Sequence, residues 1–169
     1  TARNRTLDDS RSRAGRNIEA KTTIRLSEIE NIVGIKEASG DFGLAAEISA
    51  NTPEDFNIWS GDDSATLHLL SVGGCGIISV ASHIIGNQIQ QLVRAFHGGD
   101  IGEARQLHLH WMPVFNVLFI PTSVNPAPVK AALKMTGFNA GGLRLPLLPV
   151  NEKEAEGIRS VLVKYGVIQ

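Results

Sequence analysis

The sequence predicts an α/β fold: a parallel sheet of about three strands within residues 19–98, followed by an all-helical segment over residues 99–169. Two observations predict it. Short β-rich apolar runs recur at 31–35, 56–59 and 76–80, and each is followed by a stretch with helical spacing. Strand–helix alternation of this length marks βα units on a parallel sheet. After Gly98-Gly99 the strand-like runs stop and only helical periodicity remains.

Taken in order, residues 1–18 form a basic leader without helical or strand period. Ala20 to Ile29 reads as a helix with Ile24, Leu26 and Ile29 as its apolar positions. Asn31-Ile32-Val33-Gly34-Ile35 reads as a strand buried on both faces. Phe42 to Ala50 is helical, and Phe56 to Trp59 is a second strand. Asp63 to Val72 is helical, with Asp62 or Asp63 placed to cap it. Gly76 to Val80 makes a third strand and Asn87 to His97 the helix that follows. Ile101 to Leu118 is one long helix, in which Pro113 is expected to cause a bend or local break. Ala127 to Thr136 and Glu152 to Tyr165 complete the helical part, joined by the extended stretch Leu143 to Val150 with its two prolines.

Composition narrows the function classes. The 169 residues carry 16 Lys+Arg against 17 Asp+Glu, a net charge of −1, and 43% are hydrophobic, enough for a real core. A near-neutral balance argues against a dedicated nucleic-acid binder. The charge is uneven: residues 1–26 hold seven basic and three acidic side chains, which leaves −5 for the remainder. A basic leader is either a nucleic-acid arm or a frayed polar terminus. It is short and holds no aromatic residue to stack on bases, which favours the terminus. One cysteine, Cys75, excludes an intramolecular disulfide framework and a cysteine-based zinc cage. The most apolar stretch, Gly76 to Ile85, is far short of the roughly 20 residues a membrane helix needs. The expectation is a reduced, cytoplasmic globular protein. No metal site is expected: His108 and His110 are two apart on a helix, and His68, His83 and His97 lack ligand-spaced partners.

Lys36 is the informative residue. It stands at the carboxyl end of an apolar strand, followed by Glu37-Ala38-Ser39-Gly40, and in parallel barrels and doubly wound sheets that end carries the ligand chemistry. A lysine that loses hydration there can attack a carbonyl as the neutral amine and form a Schiff base. The same placement also suits a lysine that simply emerges into solvent. Ser60-Gly61-Asp62-Asp63 and Ser79-Val80-Ala81-Ser82 follow the other two strands at the same end. Gly61 suits a tight turn or a close approach to a ligand, whereas Ser60 and the aspartates serve equally as helix caps. Gly73-Gly74-Cys75-Gly76 precedes a strand rather than following one, so it is no dinucleotide loop.

The segment Asn31-Ile32-Val33-Gly34-Ile35-Lys36-Glu37-Ala38-Ser39-Gly40-Asp41 resembles the Schiff-base strand of the class I pyruvate-dependent aldolases and lyases, and most closely the dihydrodipicolinate synthase family. Trp59 to Asp63, Gly76 to Val80 and Arg144-Leu145-Pro146-Leu147 match further blocks in order, so the resemblance covers roughly residues 12–169. It implies the C-terminal part of a (β/α)8 barrel followed by a three-helix C-terminal domain, in a cytoplasmic homotetramer. It implies an enzyme of lysine and diaminopimelate biosynthesis that condenses pyruvate with aspartate 4-semialdehyde. No cofactor is implied beyond the covalent Schiff base of pyruvate on Lys36. On the same resemblance Arg13 holds the carboxylate of the incoming aldehyde, Ile78 turns its main chain to the pyruvate-derived group, and Gly61 lines the mouth. A guanidinium suits a bidentate carboxylate clamp.

The chain also departs from the family. A Tyr-Asn-x-Pro segment, whose tyrosine relays protons, is replaced here by Asp8-Asp9-Ser10-Arg11, and the single tyrosine is Tyr165 in the last helix. A complete barrel takes about 250 residues, so three strands imply a truncated chain. Open sheet edges and an exposed inner face then imply poor stability or association. Two alternatives accompany the synthase reading. One is a sister pyruvate lyase, such as an N-acetylneuraminate lyase or a 2-keto-3-deoxy sugar-acid aldolase. The other is a non-catalytic remnant that only associates through its helices. Arg13 and the Ser60–Asp63 block favour the synthase.

Overall fold

The computed structural model describes residues 4–9 and 15–169. The chain divides into two compact units, one running up to Ser79 and one from Val80 to Gln169.

The first unit is a four-stranded parallel sheet in the order β1-β2-β3-β4. Its elements are β1 (Arg5–Asp9), α1 (Ala20–Ser27), β2 (Ile32–Glu37), α2 (Phe42–Asn51), β3 (Asn57–Ser60), a short 3-10 turn (Asp63–Ala65), α3 (Thr66–Ser71) and β4 (Gly76–Ile77). Ile35 and Ile58 turn toward the helices and join Ala20, Ala45, Ile48, Phe56 and Leu69 in one buried cluster. The helix α2 starts where the Asp41 carboxylate accepts the Leu44 N–H at 3.0 Å, satisfying an otherwise orphaned donor. Gly34 has no room for a side chain: a Cβ there would stand 2.2 Å from the Asn57 carbonyl oxygen and 2.6 Å from the Trp59 ring.

Four strands replace the expected three, and the additional one lies in the supposedly unpatterned leader. β1 contains a single apolar side chain, Leu7, which packs against the cluster. Its strand state comes from pairing with β2, beginning at Arg5 N–H to Asn31 O at 2.7 Å, and backbone pairing leaves no trace in side-chain periodicity. The third expected strand is shorter than its apolar run. β4 ends at Ile77, and the next helix begins at Ser82 instead of Asn87, with a break at Ile85 (φ −126°, ψ 44°) inside it.

The second unit contains α4 (Ser82–His97), α5 (Ile101–Val117), α6 (Ala127–Met135) and α7 (Glu152–Lys164). The helix α5 runs through Pro113 as one element. Its buried face, with Ala104, Val114 and Phe115, belongs to a core that includes Leu92 of α4, Ala132 of α6 and Ile158 and Leu162 of α7. Asn151 and Glu154 form a reciprocal capping box at the start of α7 (2.8 and 2.9 Å). Glu154 also accepts the hydroxyls of Thr122 and Ser123, and these hydrogen bonds, led by that of Thr122, hold its carboxyl below the usual range. No described helix is long and apolar enough to cross a membrane.

Ile35 is fully buried at the centre of the first unit's cluster. Ile35→Ala is therefore expected to cost about 2–5 kcal/mol, read as a lowered midpoint in urea unfolding followed by circular dichroism. A change below about 0.5 kcal/mol would contradict this placement.

Candidate active site

The carboxyl ends of the four parallel strands bring the candidate residues together. Alternation decides which way each points. In β2, Ile35 and Glu37 turn toward the helices and are 0% and 3% exposed, so Lys36 stands on the opposite face, with 21% of its side chain exposed. Placing the lysine on that face spares the fold the burial of an ammonium group among the isoleucines.

On that face Lys36 is the lateral neighbour of Asp8 in β1, and its Nζ donates to Asp8 Oδ1 at 3.5 Å. On the other side lies the turn after β3. There the Gly61 N–H donates to the Glu37 carbonyl at 2.6 Å, continuing the ladder beyond the strand end. A Cβ on Gly61 would lie 2.7 Å from Ala38 Cβ and 3.0 Å from Lys36 Cε. Gly61 thus provides the space that the lysine stem occupies. Ile78 follows β4 and donates its N–H to the Ser60 carbonyl at 2.8 Å, with its side chain exposed. The Lys36 stem fills the space where a Gly61 side chain would stand, and Ile78 is tied to the residue before Gly61. Arg13 lies outside the described residues.

The aspartates after β3 have distinct tasks. Asp62 accepts the Ser64 N–H at 2.8 Å and its hydroxyl at 2.7 Å, capping the 3-10 turn. Ser60 is bound to the Asp62 main chain. Asp63 is buried and accepts a short hydrogen bond from the Ser79 hydroxyl, which ties the segment after β4 to the turn after β3. Asp62 therefore caps, as its position predicts, while Asp63 anchors.

Two carboxylates sit behind the lysine, on the helical side of the sheet. Asp9 and Glu37 are lateral neighbours and both are buried. Burial pushes the carboxyl of Glu37 above the usual range, the N–H of Ser39 donating at 2.7 Å pulls it back, and the charge of Asp9 adds to the rise. Burial raises Asp9 as well, against the hydrogen bond from the Ile18 N–H at 2.8 Å. Its second oxygen, Oδ2, is buried with no hydrogen-bond partner. Burial likewise raises the Cys75 thiol, whose Sγ donates to the Ile58 carbonyl, so it is not an activated nucleophile. Among the described residues no three His, Cys, Asp or Glu side chains gather to hold a metal.

The arrangement supplies an amine on a solvent-reached face, a carboxylate within its range, and a side-chain-free wall opposite. That is sufficient for attack on a carbonyl with local proton transfer. Asp8 is the functional candidate that residue spacing misses. It lies 28 positions from Lys36, at the start of the segment that stands where the resemblance expects Tyr-Asn-x-Pro, and the strand register brings the two side by side.

The model of the dihydrodipicolinate synthetase family matches residues 3–164. The 4-hydroxy-tetrahydrodipicolinate synthase of Moorella thermoacetica is 50% identical over 157 residues, covering 93% of this chain and 53% of that protein. That of Cyanothece sp. is 49% identical over 156 residues, covering 92% and 52%. Among solved structures, the dihydrodipicolinate synthase of Cyanidioschyzon merolae with lysine bound is 41% identical, with a TM-score of 0.92, over 96% of this chain and 55% of that one. The enzyme from Thermotoga maritima is 37% identical, with a TM-score of 0.91, over 96% and 56%. The chain spans about half the length of the curated relatives it matches.

The raised carboxyls of Glu37 and Asp9 set a pH dependence. Each binds its proton more tightly in the folded state than in the unfolded chain, so their contribution is fully present below the ordinary carboxylate value. It is lost as pH rises through the shifted one. Glu37→Gln, which keeps a neutral acceptor for Ser39, is expected to reduce the loss of stability as pH rises above the ordinary carboxylate range, measured by urea unfolding at each pH. An undiminished slope would contradict it.

Proposed function

The chain belongs to the dihydrodipicolinate synthetase family, and on that premise we propose that it carries the Schiff-base half of a 4-hydroxy-tetrahydrodipicolinate synthase. In this reading the four strands are the C-terminal part of a (β/α)8 barrel, and the helices of the second unit are the C-terminal domain. The observation that carries it is the position of Lys36: at the carboxyl end of a parallel strand, turned away from the core, with Gly61 making room for its stem.

The neutral Lys36 amine attacks C2 of pyruvate, and loss of water leaves an imine. Removal of a proton from C3 gives the enamine, whose C3 attacks the aldehyde carbon of aspartate 4-semialdehyde. Cyclisation of the adduct through its own amine displaces Lys36. Arg13 holds the carboxylate of the aldehyde, and the Ile78 main chain faces the pyruvate-derived group. The working state in this reading is a cytoplasmic homotetramer.

Borohydride reduction in the presence of pyruvate tests the reading. The expected result is a covalent three-carbon adduct on Lys36, absent in Lys36→Ala; no adduct on the unaltered chain would overturn it in favour of a remnant. Consumption of aspartate 4-semialdehyde by the loaded enzyme then separates the synthase from a sister pyruvate lyase. Gly61→Val, whose Cβ would stand 2.7 Å from Ala38 Cβ and 3.0 Å from Lys36 Cε, crowds the lysine stem and is expected to slow adduct formation by about 100-fold in the same assay.

A further inference from the structure

We infer that Asp8 is a catalytic residue: the carboxylate that moves protons to and from the intermediates formed on Lys36. This rests on the Schiff-base reading above, and geometry places Asp8 itself. Asp8 and Lys36 are paired laterally across adjacent parallel strands and point to the same face. The distance from Nζ to Oδ1 is 3.5 Å, longer than the 2.7–2.9 Å of a tight charge-assisted hydrogen bond. The carboxylate therefore faces the amine and, once a substrate carbon is attached, the groups two bonds beyond it, the C2 oxygen and C3.

Exposure separates Asp8 from the other acidic groups nearby. Its side chain is 46% exposed beside a lysine that is 21% exposed, so its proton can exchange with solvent between turnovers. Asp9 and Glu37, one residue further along each strand, alternate to the opposite face and are buried there. The Asp62 carboxylate caps the 3-10 turn and that of Asp63 anchors Ser79. Among the described carboxylates, Asp8 is the one paired with Lys36 in both register and side-chain contact.

The steps balance with this one group. Transfer of a proton from the Lys36 ammonium to Asp8 gives the neutral amine and a carboxylic acid. The amine adds to the ketone carbon, and its proton passes to the former carbonyl oxygen to give a carbinolamine. The Asp8 carboxylic acid then protonates that hydroxyl; the C–O bond breaks, water leaves, and the nitrogen lone pair forms the protonated imine. The Asp8 carboxylate, now charged, removes a proton from C3. The C–H electrons become the C2–C3 double bond, and the C=N π electrons return to nitrogen. The products are the enamine and water, and Asp8 is again protonated.

The test uses the full chain, pyruvate in D2O, and two readouts. Proton NMR follows exchange of the pyruvate methyl hydrogens for deuterium, and borohydride trapping follows adduct on Lys36. Asp8→Asn is expected to slow the exchange by about 100-fold or more, while the adduct on Lys36 still accumulates on long incubation. Asp8→Glu is expected to recover a substantial part of the exchange. Exchange at the unaltered rate in Asp8→Asn would overturn the proposal. So would a loss that Asp8→Glu does not restore, because it would trace to folding and not to the carboxylate. Absence of an adduct on the unaltered chain would overturn the Schiff-base reading, and this inference with it.

Discussion

The lateral register of the parallel strands is the constraint on which every functional placement in the first unit depends. Side chains alternate along a strand, so a one-residue slip of β2 would turn Lys36 into the helical core and Ile35 into solvent. Such a slip would bury an ammonium group and expose a fully buried isoleucine, each at a cost of several kcal/mol. The apolar contacts of Ile35 and Ile58 thus hold the lysine on the open face. The position of the Lys36 amine is a by-product of hydrophobic burial one residue away.

That open face is shaped as much by missing side chains as by present ones. Gly34 lets the Trp59 ring and the Asn57 carbonyl approach the β2 backbone, and Gly61 leaves space for the Lys36 stem. Behind the sheet, Asp9 and Glu37 sit where charge is poorly solvated, and burial pushes both carboxyls above the usual range. The acidic residues around the site divide by face: Asp8 is wet and within reach of the amine, while Asp9 and Glu37 are dry and tied to backbone N–H groups. The same residue chemistry takes different roles because alternation gives each carboxylate a different dielectric environment.

The second unit depends on no such register. Its helices are organised by apolar faces and by end-capping, and Glu154 serves twice, completing the α7 capping box and accepting the hydroxyls of Thr122 and Ser123. Contacts of this kind are local or nearly so. Helical spacing of this kind is local, which is why the helices around residues 101–118, 127–136 and 152–165 were legible in the sequence.

The amino-acid sequence by itself determined the α/β class, the strands β2 and β3, the helical second half, and the place of Lys36 at a strand's carboxyl end. Each of these is written in local periodicity or in a residue type at a boundary. It did not reveal β1, whose one apolar residue, Leu7, makes no pattern, nor the early start of α4, where the break at Ile85 disguises the first turn. Asp63 read as a possible cap and proved to be the acceptor for Ser79. Only the tertiary structure placed Asp8 beside Lys36. That contact is made by backbone hydrogen bonds between strands, which any residue can form, so no side-chain pattern records which residues they bring side by side.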